Sequence, residues 1–462
     1  MKPSYYFLRD KVAIPLLQTK NRALIGSAHV ALAITMWPNR FSNDEYLQDN
    51  PDVLEAKFNP EIHALIMGLR EGRLSSLKPI DKTSGRQKRD PNRETVIVVS
   101  HEASRTGAPI VALEIAKHLN STYNVVTLLL GEGELISDFS NNSEALYKDY
   151  VVRRSRLGFE NKLQRIAKNH APKFAIVNSL ESRSVLEAFR NLNIPTILLV
   201  HEFASYTKPK SSVTAAINDA TQIVFSTGIT RDDALEQIGS LPVEKVSIIP
   251  QGKSEIPNAL SAANPSSLQD LKLKSKKFRV LGAGYVQYRK GVDLFIEVAS
   301  EFNNRNPGVD IEFIWFGDGY RPEHDLTYSV YLKDQINRSG VSNKVSIHSA
   351  VSDFESELTR SDVFLLTSRL DPLPNVAIDA LCSGLPLICF DEASGFPRLA
   401  KELDLTQITI STFASTREMV SDLERLYQER NNLTSNRETW ANKASKVFDF
   451  AAYAKALVNL LN

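Results

Sequence analysis

The residues whose types could do chemistry gather just after short apolar runs. In Ser368-Arg369-Leu370-Asp371-Pro372-Leu373-Pro374-Asn375-Val376-Ala377-Ile378-Asp379-Ala380 two carboxylates stand eight positions apart, behind the apolar run Val363–Leu366 and around a helical pattern that begins near Asn375. Asparagine caps helices well. A helix N-terminus offers free N–H groups and a positive dipole end to an anion such as a diphosphate. The carboxylates of Asp371 and Asp379 can hold the hydroxyls of a sugar or a ribose through charge-assisted hydrogen bonds. Acidic residues are also common at such junctions where no ligand binds, and spacing alone leaves both readings open.

A second set lies in Ser100-His101-Glu102-Ala103-Ser104-Arg105-Thr106-Gly107-Ala108-Pro109. Gly107 either lets backbone approach a ligand closely or serves a turn. His101 reads equally as a cleft residue or a loop histidine. His201 and Glu202 follow the apolar run Thr196–Val200, where a lone histidine is more often structural. The remaining histidines (His29, His63, His118, His170, His324 and His348) show no ligand spacing, and no clustered set of metal ligands is present. Cys382 and Cys389 have no CxxC partner and read as buried thiols in a reducing compartment.

The elements that must position these residues fall into three textures. Residues 1–82 read as short helices, and 83–93 as a polar, basic linker. From Glu94 onward short β-rich runs alternate with helical patterns, the mark of βαβ units around parallel sheets. The first series predicts strands at Thr95–Ser100, Val125–Leu130, Phe174–Asn178, Thr196–Val200, Ile223–Ser226 and Val246–Ile249, with a helix Pro109–Leu119 that has proline at its first position. It spans 94–252 and ends at Pro250-Gln251-Gly252, before a polar linker 253–276. The second series, 277–462, predicts strands at Val280–Gly284, Ile311–Phe316, Val345–Ile347, Val363–Leu366 and Leu387–Phe390. Ligands of open α/β sheets bind outside the carboxyl ends of the strands, and the candidate residues fall there.

Bulk composition narrows the function. With 42% apolar and 24% charged residues the chain can build large cores, and 55 Lys+Arg against 54 Asp+Glu gives no basic excess for nucleic acid. No signal peptide is readable, and the longest apolar run, Ala23–Trp37, is shorter than the ~20 residues of a spanning helix. The expectation is a soluble or at most peripheral protein.

The segment containing Asp371 and Asp379 resembles the Glu-x7-Glu donor-binding motif of retaining glycosyltransferases of family 4, with aspartate at both positions. The following Ala380-Leu-Cys-Ser-Gly384-Leu-Pro386-Leu-Ile-Cys-Phe-Asp391 is similar to that family's helix, glycine break and strand. Gly284-Tyr-Val-Gln-Tyr-Arg289-Lys290-Gly291-Val-Asp293 resembles its first C-terminal strand with a basic loop. Ile314-Trp-Phe-Gly317-Asp-Gly319 resembles the glycine turn after the next strand, and Val246-Ser-Ile-Ile-Pro250-Gln-Gly252 the crossing between domains. The likeness covers residues 94–461, with the motifs in order. Residues 41–73, with Tyr46-Leu-Gln-Asp-Asn50-Pro51-Asp52-Val53 and Gly68-Leu-Arg-Glu-Gly72-Arg73, resemble a short helical module that accompanies many bacterial polysaccharide glycosyltransferases.

The resemblance implies an α/β protein of two facing Rossmann-like domains, the GT-B architecture, preceded by a small helical region. It implies metal-independent, retaining transfer of a hexosyl group from a nucleoside diphosphate donor to a glycan or lipid-linked acceptor in cell-surface polysaccharide synthesis. The donor is a substrate, and no cofactor is expected. The implied location is the cytoplasm, with peripheral contact at the inner face of the plasma membrane as a further expectation. By the same resemblance Asp379 binds the donor ribose, Asp371 contacts the transferred sugar, and Leu373, Pro374, Asn375 and Val376 hold sugar and phosphate. Arg289 and Lys290 neutralise the diphosphate, beside the Gly317 turn. His101, Arg105 and Gly107 form the loop at the diphosphate and acceptor. His201 lies near the transferred sugar, positioning the reactants while a leaving phosphate oxygen assists deprotonation in a same-face attack. Two departures stand out: Tyr285 occupies a place where the family commonly has arginine, and both motif carboxylates are one methylene shorter. A sugar-nucleotide epimerase and a non-catalytic sugar-nucleotide or glycan-binding subunit are the alternatives.

Overall fold

The computed structural model describes residues 46–47, 50–63, 81–150, 152, 159–255 and 277–461. The run Ala23–Trp37, most of the N-terminal helical region and residues 256–276 of the expected linker lie outside the described residues. Within the N-terminal part, two short helices, Pro51–Glu55 and Pro60–His63, are described, and the Tyr46 hydroxyl meets His63 Nδ1 at 2.8 Å.

Two sheets carry the fold. The strands are β1 (Asp81–Ser84), β2 (Thr95–Ser100), β3 (Asn124–Leu129), β4 (Ala145–Lys148), β5 (Pro172–Asn178), β6 (Thr196–Val200), β7 (Gln222–Phe225) and β8 (Val246–Ile248) in the first, in the order β1-β4-β3-β2-β5-β6-β7-β8. The second holds β9 (Phe278–Ala283), β10 (Ile311–Phe316), β11 (Val345–His348), β12 (Val363–Leu366), β13 (Leu387–Phe390) and β14 (Ile408–Ser411), in the order β11-β10-β9-β12-β13-β14. The registered pairs are parallel except β1 with β4. The second order is that of the Rossmann fold, and the chain direction of strand addition reverses between β9 and β12.

Burial explains why these runs are strands. β2, β3, β6, β12 and β13 are buried at every residue, the pattern of parallel strands covered on both faces. One face of the second sheet packs under the helix Val292–Arg305, whose Val292, Phe295, Ile296, Ala299 and Phe302 repeat at helical spacing, and under Thr416–Gln428, with Met419, Val420, Leu423 and Leu426 inward. The other face is closed by the helices Phe354–Arg360, Asn375–Cys382 and Phe396–Glu402. Trp315 in β10 is 1% exposed and meets Phe295 edge-on at 5.3 Å. Among the described residues no helix is long and apolar enough to cross a membrane.

The expected strands are present to within a few residues at each end. Three were not anticipated: β1, β4 and β14. Asp81–Ser84 falls across the end of the expected helical region and the start of the expected linker. It is held by backbone pairing, with Asp81 opposite Lys148 and Ser84 opposite Ala145. The ladder continues through Gly85 N–H to Glu144 O at 3.0 Å and Gln87 N–H to Ser143 O at 3.1 Å. A polar edge strand of this kind needs no apolar alternation, so its sequence carries no strand signal.

The chain forms two compact units. One comprises Met1–Ala103, Asn120–Val177 and Glu181–Thr196 as far as they are described; the other comprises Ser104–Leu119, Asn178–Leu180 and Ile197–Asn462.

Candidate functional site

The second sheet's switch point is flanked by the loop after β9 and the loop after β12, both in the second unit. Gly284, directly after β9, has φ +137°, and a Cβ there would meet the Lys290 stem at 3.1 Å, so the lysine folds back over the glycine. The Gly284 carbonyl accepts from Trp315 Nε1 at 2.9 Å. It also blocks position 317, where a Cβ would lie 2.0 Å from that oxygen. Glycine at 317 is therefore a backbone requirement of this turn.

Across the switch point Asp371 is 6% exposed, and its carboxylate receives Lys290 Nζ on Oδ2 and Arg289 Nη1 on Oδ1 at 2.9 Å. Arg289 Nη1 also donates to Leu370 O at 3.0 Å, and the Asp371 N–H donates to Ala393 O at 2.8 Å. Burial alone would raise the Asp371 carboxyl, but the Lys290 and Arg289 charges hold it below the ordinary carboxylate value. Structure thus unites Arg289, Lys290 and Asp371 in one charge cluster. The same two loops are braced by a second pair: Arg369 Nη1 and Nη2 grip Asp293 at 2.9 and 2.6 Å, and the guanidinium lies 3.9 Å from the Tyr288 ring centre. Tyr285 is 56% exposed, and a Cβ on Gly319 would lie 2.8 Å from its ring.

Asp379 stands apart from that cluster in its electrostatics. It is 8% exposed on the helix Asn375–Cys382, its carboxyl accepts no hydrogen bond from the described residues, and it is pushed up to about 7 by burial, with Lys253 lowering it and Glu355 raising it further. Lys253 Nζ reaches Glu355 at 3.2 Å.

The helix start corrects the capping expectation. Pro374 is the cap residue, extended at φ −66°, and Asn375 is already helical. The Asn375 side chain is used elsewhere: Nδ2 donates to Gly107 O at 3.3 Å, and Oδ1 accepts from Gln251 Nε2 at 3.3 Å. Gln251, 4% exposed, also donates to Leu373 O at 2.8 Å. Leu373 and Pro374 are buried and Val376 half-buried. Gly107, Gln251 and Asn375 all belong to the second unit.

Of the Ser100–Pro109 loop, Gly107 opens the helix Gly107–Leu119, which starts two residues before Pro109, so the proline sits in the first turn rather than at the first position. Arg105 is exposed, and His101 Nε2 lies 3.8 Å from Glu102 Oε1 in the first unit. His201, at the end of β6, has Nε2 3.0 Å from Asn178 Oδ1 at the end of β5.

Sequence reasoning missed Asn178, Gln251, Lys253 and the Arg369–Asp293 pair. Asn178 is the last residue of β5 and Gln251 lies three residues beyond β8, so both are amides near the carboxyl end of a parallel strand.

Residues 264–447 match the family model described as glycosyl transferases group 1. An uncharacterized glycosyltransferase of Haemophilus influenzae is 26% identical over 153 residues, covering 33% of this chain and 41% of that protein. The alpha-D-kanosaminyltransferase of Streptomyces kanamyceticus is 25% identical over 257 residues, covering 52% and 63%. The chain thus spans less than two thirds of the length of either relative. The crystal structure of Anabaena Alr3699/HepE in complex with UDP and glucose superposes with a TM-score of 0.64 at 16% identity, over 80% of this chain and 99% of that one. Residues 264–447 are thus similar to a glycosyl transferases group 1 domain, and the fold is that of GT-B structures.

Proposed function

We propose that the chain is a glycosyltransferase that takes a sugar from a nucleoside diphosphate donor and passes it, with retention, to a glycan or lipid-linked acceptor. The observation that carries this reading is the Lys290–Asp371–Arg289 cluster, set at the switch point of a group 1 domain. A departing nucleoside diphosphate gathers negative charge on its phosphate oxygens, and fixed cations at that place lower the barrier. Asp371 keeps both cations aimed before the donor arrives. When the diphosphate binds, it takes over part of their charge and frees the carboxylate towards the sugar hydroxyls. Asp379 takes the ribose hydroxyls, with Leu373, Pro374, Asn375 and Val376 along the sugar and phosphate. His201 positions the reacting pair, and His101, Arg105 and Gly107 line the diphosphate and acceptor side.

In this reading the cations do the work that a metal does elsewhere, and the leaving phosphate oxygen takes the acceptor proton. The acceptor belongs to cell-surface polysaccharide synthesis at the inner face of the plasma membrane. Support comes from the relative whose name is a kanosaminyltransferase and from the neighbour solved with UDP and glucose.

The test is to add UDP-, GDP- and dTDP-sugars to the pure chain, following Tm and then sugar transfer. A cognate nucleotide at 100 times its Kd should stabilise the chain by about 2.7 kcal/mol. An unchanged Tm with every nucleotide refutes the reading. Conversion of the sugar without an acceptor points to epimerisation instead, and binding with no turnover in the presence of acceptor extracts points to a binding subunit.

A further inference from the structure

The ends of β5 and β6 carry a hydrogen-bond chain whose donors and acceptors can be assigned. Asn178 is fully buried, and its Nδ2 donates to the Ala108 carbonyl at 2.9 Å. A carbonyl can only accept, so this contact fixes which end of the amide is nitrogen. Asn178 Oδ1 then faces His201 Nε2 at 3.0 Å, and this oxygen too can only accept. The proton of a neutral His201 must sit on Nε2, which makes Nδ1 the lone-pair nitrogen.

The next residue is held in an unusual shape that keeps the amide in place. Ser179 is a buried non-glycine with φ +79°, a backbone state that residues with a side chain rarely adopt. Glu202, one residue after His201, braces it. Its carboxylate accepts from the Ser179 hydroxyl, from Leu180 N–H at 3.1 Å and from His201 N–H at 3.2 Å. One carboxylate therefore ties both strand ends together.

We propose that Asn178 is a positioning residue that locks His201 in the tautomer protonated at Nε2, with Glu202 clamping the turn that carries Asn178. The lock fixes the His201 ring for its place near the transferred sugar; that use rests on the glycosyl-transfer reading, while the tautomer does not.

The full chain labelled with 15N-histidine tests it at pH 7.5, through long-range 1H–15N correlations, with His201 assigned by its loss in His201→Gln. The wild type should show His201 in the Nε2–H form alone. Asn178→Asp, which keeps an oxygen towards Nε2, should retain that pattern, and Asn178→Ala should give mixed tautomers. An Nδ1–H or doubly protonated His201 in the wild type overturns the proposal, as does an unchanged pattern in Asn178→Ala. Where transfer is measured, Asn178→Ala should lower kcat about 10-fold, the lower end of what removing an imidazole's orienting partner does, with donor KM nearly unchanged. Failure of transfer in the wild type would sink the functional reading and leave the tautomer standing on the spectrum alone.

Discussion

Replacing Asp379 by asparagine should make the protein more stable at alkaline pH while weakening its hold on a nucleotide. The carboxyl is 8% exposed and burial lifts it from an ordinary 3.8 to about 7. Between those two values the folded chain keeps a proton at Asp379 that the unfolded chain has already lost. Folding is then favoured by proton binding, and stability falls as pH rises through the window. From pH 5 to 7 the loss is two pH units at about 1.4 kcal/mol each, or on the order of 3 kcal/mol. Asparagine has the same shape and no charge, so this slope should vanish in Asp379→Asn. Urea unfolding at pH 5 and pH 8, followed by the fluorescence of buried Trp315 in the sheet that the Asp379 helix covers, reads the difference. The excess stability of the variant should grow between the two pH values by roughly that 3 kcal/mol. Other titrating groups are common to both proteins and cancel in the comparison. Nucleotide binding should move the opposite way, because ribose hydroxyls bond more strongly to an ionised carboxylate. A variant less stable than the wild type at pH 8, or an equal difference at both pH values, would refute the electrostatic argument.

Lys290→Ala removes one of two cations on buried Asp371 and should raise the Kd for a nucleoside diphosphate at least about tenfold, or ~1.4 kcal/mol, by calorimetry. Gly317→Ala drives a Cβ to 2.0 Å from Gly284 O and should cost about 1–3 kcal/mol of overpacking strain, visible as a lower Tm. Arg369→Ala breaks the two-pronged grip on Asp293 and should cost roughly 1.5–3 kcal/mol. His170, between Tyr147 and Glu144, has its proton affinity lowered chiefly by burial, against the pull of Glu144. The unfolded chain binds the proton more readily, so stability is intact above pH 6.5 and declines below it; His170→Gln should flatten that acid limb in urea titrations.

Much of the architecture was legible because parallel strands announce themselves. Val96–Val99 and Val363–Leu366 are continuous apolar runs, and only a sheet covered on both faces asks for them. The charge cluster was half legible. Arg289, Lys290 and Asp371 could each be singled out, yet 81 positions separate Lys290 from Asp371 and no local pattern says that they meet. Asn375 looked like a cap because asparagine usually is one; its amide instead joins Gly107 and Gln251, and the extended Pro374 begins the helix. Asn178 was hidden inside a predicted strand, since its use depends on a carbonyl 70 positions away. Side chains that act through distant backbone leave no spacing to read.

The antiparallel pairing of Asp81–Ser84 with Ala145–Lys148 bears on where the chain can be shortened. The polar stretch 83–93 invites a cut just before Glu94, which would keep every strand of the βαβ series. Such a fragment would leave the outer rim of Ala145–Lys148 without its cover, and bare strand rims recruit other chains. A truncated protein that stays monodisperse should instead begin upstream of Asp81.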